Sequence, residues 1–106
     1  MPVENPPTTL AGLSKTLTAA APPVGMAPAL EALWWAAKDD WTKAHEIAQE
    51  HEGEAPCDWV HAYLHRVEGD LGNAGYWYRR AKRPPATGAL KAEWAAIIAA
   101  LLAEAD

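Results

Sequence analysis

The fold is decided by residues 57–82, which read CDWVHAYLHRVEGDLGNAGYWYRRAK. Apolar side chains recur here at helical spacing on both sides of the short turn Gly69-Asp70. The stripe before the turn holds Trp59, Val60, Tyr63, Leu64 and Val67, and the stripe after it holds Leu71, Ala74, Trp77, Tyr78 and Ala81. Glycine commonly ends a helix and aspartate caps the next one. The segment therefore predicts helices over 57–68 and 71–82 that pair as an antiparallel hairpin.

The same pattern continues outward from this hairpin. Apolar periodicity predicts further helices over about 9–20, 28–38, 41–51 and 89–104. Pro28 suits a first helical turn, and Asp40 is a good N-cap. Gly53 with Pro56, and later the pair Pro84-Pro85, read as interruptions between helices. About five to six helices with short connections result.

Composition supports an all-α protein. The chain has 106 residues, half of them apolar, with six Trp and no Phe, and alanine supplies much of the rest. Alanine favours helices and lets them approach closely, whereas a sandwich or a doubly wound sheet needs more β-branched residues. We expect a flexible tail over 1–8 and one helical-repeat domain over 9–106.

Charge and cysteine content exclude several function classes. The net charge is −5, which disfavours nucleic acid as a partner. No run approaches the length of a membrane span, and no secretory leader is recognisable. Cys57 is the single cysteine, so no internal disulfide can form. We therefore expect a cytoplasmic protein without a cofactor.

An internal repeat becomes visible when the chain is shifted by 30 residues. The shift superposes Ala32, Asp40, Ala44 and Ala48 on Ala62, Asp70, Ala74 and Tyr78. A repeat of this length is typical of stacked supersecondary units. Small residues at equivalent positions would let the paired helices pack closely.

The second copy of this repeat resembles a tetratricopeptide repeat, and the first copy is a poorer match. The resemblance extends over about 28–85, and its positions in the second copy are Ala62, Gly69-Asp70, Ala74, Tyr78, Ala81 and Pro84. It implies a right-handed stack of helical hairpins. The segments Leu33-Trp34-Trp35 and Trp59-Val60-His61-Ala62-Tyr63-Leu64-His65 are similar to those of short, uncharacterised bacterial proteins, a family that implies no catalytic residue.

The first functional hypothesis is a non-enzymatic interaction module. Helical repeats present concave surfaces, and aromatic and arginine side chains are common interface anchors. The predicted partner is a peptide, a protein or a second copy of the chain. The candidate binding residues are Trp35, His45, Trp59, His61, His65, Tyr76, Arg79 and Arg80.

The second hypothesis is binding of a divalent metal or small molecule, with or without enzymatic activity. His61 and His65 are four residues apart, which places them on one face of the predicted helix 57–68. Asp58 and Glu68 lie alongside them. Neutral imidazoles at this spacing can ligate a metal. The alternative is that the four residues form the polar side of an amphipathic helix.

Three further features carry weaker expectations. His45 approaches His61 or His65 if the third and fourth helices are neighbours; otherwise it is a partly buried structural histidine, as we also expect for His51. Trp34 and Trp35 cannot both enter one core, so the N-terminal helix covers one of them or leaves an exposed patch. Cys57 lies near a helix start, but we expect a structural thiol.

Overall fold

The computed structural model describes residues 6–104, and every regular element in that part of the chain is helical. The predicted all-α class is confirmed. The elements are α1 (Leu10–Lys15) with a following 3₁₀ turn (Thr16–Thr18), α2 (Pro28–Ala37), α3 (Trp41–Glu50), α4 (Ala55–Val67), α5 (Leu71–Ala81) and α6 (Leu90–Glu104). None of these helices has the length and apolarity needed to cross a bilayer. Residues 1–5 of the predicted tail lie outside the described residues.

Two predicted boundaries are wrong. The helix α4 begins at Ala55, with Pro56 in its first turn rather than in the preceding loop, because proline loses no hydrogen bond there. The first helix was expected over 9–20, but α1 ends at Lys15 and continues only as a 3₁₀ turn. Thr16 donates its hydroxyl to the Leu13 carbonyl at 2.6 Å, an arrangement that weakens continuation of an α-helix.

The two hairpin turns, 30 residues apart, have the same pattern of backbone hydrogen bonds. The Asp40 amide donates to the Trp35 carbonyl at 3.0 Å, and the Asp70 amide donates to the His65 carbonyl at 2.9 Å. The residue before each aspartate is left-handed, with φ of 62° at Asp39 and 86° at Gly69. Both turns therefore end a helix with the same Schellman-type geometry.

Each of these turns also starts the following helix in the same way. The Asp40 carboxylate accepts the Lys43 amide at 3.0 Å, and the Asp70 carboxylate accepts the Asn73 amide at 3.2 Å. These bonds satisfy backbone donors that a helix start otherwise leaves unpaired. The hairpins α2–α3 and α4–α5 are thus built by one local rule.

Small residues form the seam of each hairpin. The buried alanines at equivalent positions are Ala32, Ala44, Ala62 and Ala74. The two hairpins meet where α3 packs against α4, and α6 packs across α2 and α4. The expected inward position of Leu71 is wrong, because this side chain is 68% exposed. It stands at the first position of α5, beyond the edge of the seam.

The N-terminal segment covers one of the two adjacent tryptophans, as one of the two alternatives predicted. Trp34 is fully buried, and its indole Nε1 donates to the Thr16 hydroxyl at 3.0 Å. The Lys38 ammonium donates to the Leu17 carbonyl at 2.7 Å. Trp35 is partly buried against the edge of the core. The Lys43 ammonium covers one face of its ring, 4.4 Å from the ring centre.

A buried carboxylate attaches α6 to the second hairpin. Glu93 accepts a hydrogen bond from the Tyr78 hydroxyl and pairs with the Arg66 guanidinium at 2.9 Å. All three groups are largely shielded from water. Because a buried charge is costly unless it is paired, this triad fixes α6 against α4 and α5.

Candidate metal centre

Three of the four histidines converge at the junction between the two hairpins. His61 and His65 come from successive turns of α4, and His45 comes from the facing side of α3. The Nε2 atoms of His45 and His61 are 3.0 Å apart. One ligand nitrogen from each of the three rings lies within 4.8 Å of the others. The packing of α3 against α4 thus brings His45 to the α4 pair, as the sequence predicted for the case in which these helices are neighbours.

The cluster is inside the protein rather than on a polar outer face. His61 is 3% exposed and His65 is 6% exposed. The two α4 histidines therefore do not face solvent. His51 stays apart from the cluster, with its Nδ1 2.9 Å from the Glu54 carboxylate.

Two indole rings fix the orientation of the imidazoles. Trp77 stacks on His61 with ring centres 3.8 Å apart, and Trp41 stacks on His45 with ring centres 4.7 Å apart. The Trp41 indole N–H also donates to the Leu64 carbonyl at 2.7 Å, which ties α3 to α4. Flat contacts of this kind restrict ring rotation, so the ligand nitrogens are held in place before anything binds.

Burial favours the neutral form of His61 and His45. Desolvation, aided by the nearby His45, His65 and Arg80, lowers the pKa of His61 from 6.5 to about 4. Desolvation and then the neighbouring His65 also lower the pKa of His45. Neutral imidazole is the form that ligates a metal. The environment therefore favours the ligating form at neutral pH.

The tautomer of His65 is set by Glu68. Its Nδ1 lies 2.6 Å from the Glu68 carboxylate, and because an ionised carboxylate only accepts hydrogen bonds, Nδ1 carries the ring proton. The lone pair of neutral His65 is then on Nε2. By contrast, Nδ1 of His61 is buried with no hydrogen-bond partner.

The donor set fits a first-row transition metal. Imidazole nitrogens suit Zn²⁺, Cu²⁺ and Ni²⁺, whereas Mg²⁺ and Ca²⁺ prefer oxygen. Metal–nitrogen bonds of about 2.0–2.1 Å in a tetrahedral site put the nitrogens about 3.3 Å apart. The observed separations, from 3.0 Å for one pair to at most 4.8 Å, bracket that value. Small side-chain rotations would bring all three nitrogens to it.

The two carboxylates predicted beside the α4 histidines have different positions. Glu68 contacts His65, as described. Asp58 is buried at the other end of α4, where it accepts the Gly53 amide at 3.0 Å and lies 4.0 Å from the Arg80 guanidinium. Among the described residues, the groups with metal-binding spacing are His45 with His61 and His65, and His65 with Glu68 and Asp70. Asp58 belongs to neither group.

Several of the aromatic and basic residues predicted to bind a partner contact other side chains within the protein. Arg80 donates to the Tyr76 hydroxyl at 3.2 Å and lies 5.1 Å from the Trp77 ring centre. Arg79 is exposed near the end of α5. Trp59 is covered by the Arg83 guanidinium, 4.0 Å from its ring centre. The structure gathers the histidines into one cluster but leaves Trp35, Trp59 and the Tyr76–Arg80 pair in separate sets of contacts.

Two surface cavities lie away from the histidines. One of about 450 Å³ is bounded by Trp59, Arg83 and Glu93, and another of about 470 Å³ by Leu17, Tyr63 and Trp94. Cys57 is buried, and desolvation raises its thiol pKa to about 12. A thiol of this kind is not nucleophilic at neutral pH, as the structural reading expected.

Sequence reasoning missed the roles of Trp41 and Trp77, which orient the cluster, and of Glu93, which anchors α6. The spacing of Trp41 and Trp77 marked them as apolar packing residues but did not indicate which rings they cover. Glu93 gave no signal, because an acidic residue in a first helical turn is ordinarily explained by the helix dipole. Contacts between helices distant in sequence decide all three roles.

Comparison with known proteins finds no family model, no curated protein and no solved structure that matches this chain. The function is therefore inferred from the geometry of the histidine cluster.

Proposed function

We propose that the protein binds a divalent first-row transition metal ion, of which Zn²⁺ is the best-fitting example, through His45, His61 and His65. The observation that carries the proposal is the convergence of one nitrogen from each ring within 4.8 Å. The ion would connect α3 to α4 and so join the two hairpins.

Two features support a ligand role over a purely structural one. The short His45–His61 contact uses the same two nitrogens that would bind the ion. Stacking by Trp41 and Trp77 holds those nitrogens toward one point. The arrangement matches a preorganised ligand set.

The electrostatic surroundings contain opposing contributions. Arg80 lies near enough to His61 to lower its pKa, so it also disfavours a cation at the ring. Glu68 and Glu46 act in the opposite sense on His45. Neutral imidazoles bind the ion by donating lone pairs, so this ligand set does not require a negative charge.

The test is a zinc titration of protein prepared without a histidine tag. Isothermal titration near neutral pH should show one equivalent of Zn²⁺ bound by the parent chain, with no binding of Mg²⁺. Replacing His45, His61 or His65 singly by alanine removes a direct ligand. The affinity loss should exceed the roughly ten- to hundredfold cost typical of outer-sphere partners.

The matched control is His51→Ala, because His51 also contacts a glutamate three residues later but lies outside the cluster. This variant should bind zinc like the parent. If the parent takes up no zinc, or if all four alanine variants bind it equally well, the cluster is not a metal site. Circular dichroism of each variant separates loss of ligands from loss of fold.

A further inference from the structure

Resting on the proposed function, we infer that Glu68 is a positioning residue of the metal centre and not one of its ligands. Its carboxylate accepts a hydrogen bond from Nδ1 of His65, which leaves Nε2 as the ring nitrogen available to the ion. Sequence spacing suggested Glu68 as a direct ligand, and the structure assigns it this different role.

The geometry of the His65–Glu68 pair carries the inference. Only the 2.6 Å contact joins the two side chains, and it uses Nδ1. A histidine bound to a metal through one nitrogen commonly donates its other N–H to a carboxylate, which fixes the ring and makes the ligating nitrogen more basic. His65 already has this arrangement. The remaining nitrogen, Nε2, is the one left for the ion.

The position of Glu68 also favours an outer role. It is the C-cap residue of α4, where the backbone begins to turn toward α5, and its side chain is 39% exposed. The side chain of His65, by contrast, is only 7% exposed. Glu68 is therefore the more peripheral member of the pair.

A second arrangement would make Glu68 a ligand. Its carboxylate, a nitrogen of His65 and a carboxylate oxygen of Asp70 also lie within 4.8 Å of one another. Asp70, however, already accepts the Asn73 amide as the N-cap of α5. A metal bound by His65, Glu68 and Asp70 would compete with the Nδ1 proton of His65 for the Glu68 carboxylate. We therefore assign one ion, held by the three histidines.

The test compares Glu68→Ala and Glu68→Gln with the parent in zinc binding. Glu68→Ala removes the acceptor, so the zinc dissociation constant should rise by about ten- to hundredfold. Glu68→Gln retains an uncharged acceptor and should show a smaller rise. Glu54→Ala is the matched control, since it removes the same kind of contact from His51 and should leave the constant unchanged.

Two further measurements identify the role. Nitrogen-15 NMR of metal-free protein should show His65 protonated at Nδ1 in the parent and as a tautomer mixture in Glu68→Ala. With bound Co²⁺, the visible spectrum per ion should be the same in the parent and in Glu68→Gln, because the ligands are unchanged. A changed spectrum, a second equivalent of metal, or weaker binding in Asp70→Asn would make Glu68 a ligand and overturn the inference.

The outcome is separable from that of the proposed function. If the parent chain binds no zinc, the three-histidine site itself fails. If the parent binds zinc and both Glu68 variants bind it equally well with an unchanged His65 tautomer, the site stands and the positioning role is wrong.

Discussion

His61 combines deep burial with an unpartnered ring nitrogen. Its pKa is lowered to about 4, first because burial penalises the charged ring and then because His45, His65 and Arg80 surround it. In the unfolded chain the same ring titrates near 6.5. The folded and unfolded states therefore bind different numbers of protons between these two values.

This difference predicts that metal-free protein loses stability as the pH falls. Below pH 6.5 the unfolded state takes up a proton that the folded state does not, so the free energy of unfolding decreases until the pH reaches the folded-state pKa. The lowered pKa of His61 gives a loss of up to about 3 kcal/mol over that window. The lowered pKa of His45 acts in the same direction.

Urea unfolding at several pH values in the presence of a chelator measures this effect. The slope between pH 7 and pH 5 should persist in His51→Ala and shrink in His61→Gln. A free energy of unfolding that is flat over this range would show that His61 titrates normally in the folded protein.

At the scale of the helical elements, the two hairpin turns use different residues for one backbone conformation. Asp39 is left-handed at φ 62°, and Gly69 is left-handed at φ 86° in the equivalent position of the other hairpin. Glycine adopts this region without steric cost, whereas other residues are disfavoured there. The first hairpin therefore contains a strained position that the second avoids.

A reciprocal exchange tests this difference. Asp39→Gly should raise the free energy of unfolding by about 0.5–1 kcal/mol, and Gly69→Asp should lower it by a similar amount. Denaturant unfolding of the two single variants measures both changes. Nothing lies within 4 Å of a Cβ built on Gly69, so a loss there reflects backbone conformation. A fall in the free energy of unfolding for Asp39→Gly, or a rise for Gly69→Asp, would contradict the strain at Asp39.

The helices were predictable from the sequence because each is marked by local signals. Asp40 and Asp70 marked helix starts, Gly69 marked a stop, and α5 and α6 ran close to the expected lengths. Pro56 was misread because the same residue is typical of a loop and of a first helical turn. The predicted burial of Leu71 was wrong because periodicity indicates which side of a helix is apolar but not how far along the helix that side is covered.

The site was predictable only in part for a related reason. The i and i+4 spacing of His61 and His65 is a property of one helix, so the sequence contained it. The approach of His45 depends on how α3 packs against α4, and sequence reasoning offered it as one alternative. The stacking of Trp77 on His61 and the contact between Asp58 and Arg80 also depend on how α4 packs against α5. The interaction-module hypothesis stays a prediction, as does the tetratricopeptide-like stacking.

At the scale of the whole molecule, α6 is held to the second hairpin by the buried triad of Glu93, Arg66 and Tyr78. Removing one member of a buried ion pair leaves the other charge uncompensated, which typically costs about 3–5 kcal/mol. An exposed pair contributes no more than about 1 kcal/mol. Among the described residues, α6 carries one buried pair, Glu93 with Arg66, and one exposed pair, Glu104 with Arg83.

Glu93→Ala should therefore lower the free energy of unfolding by about 3 kcal/mol or more. Glu104→Ala removes the exposed partner of Arg83, 2.8 Å away, and should cost less than about 1 kcal/mol. Guanidinium unfolding of the two variants compares them directly. Similar small losses in both would show that the triad does not anchor α6.

The claim that the two hairpins share one metal through three histidines is tested most directly by X-ray absorption at the zinc edge of the loaded, tag-free protein. The account predicts a first shell with three imidazole nitrogens at about 2.0–2.1 Å. A shell dominated by oxygen, or one with fewer than three imidazoles, would contradict it.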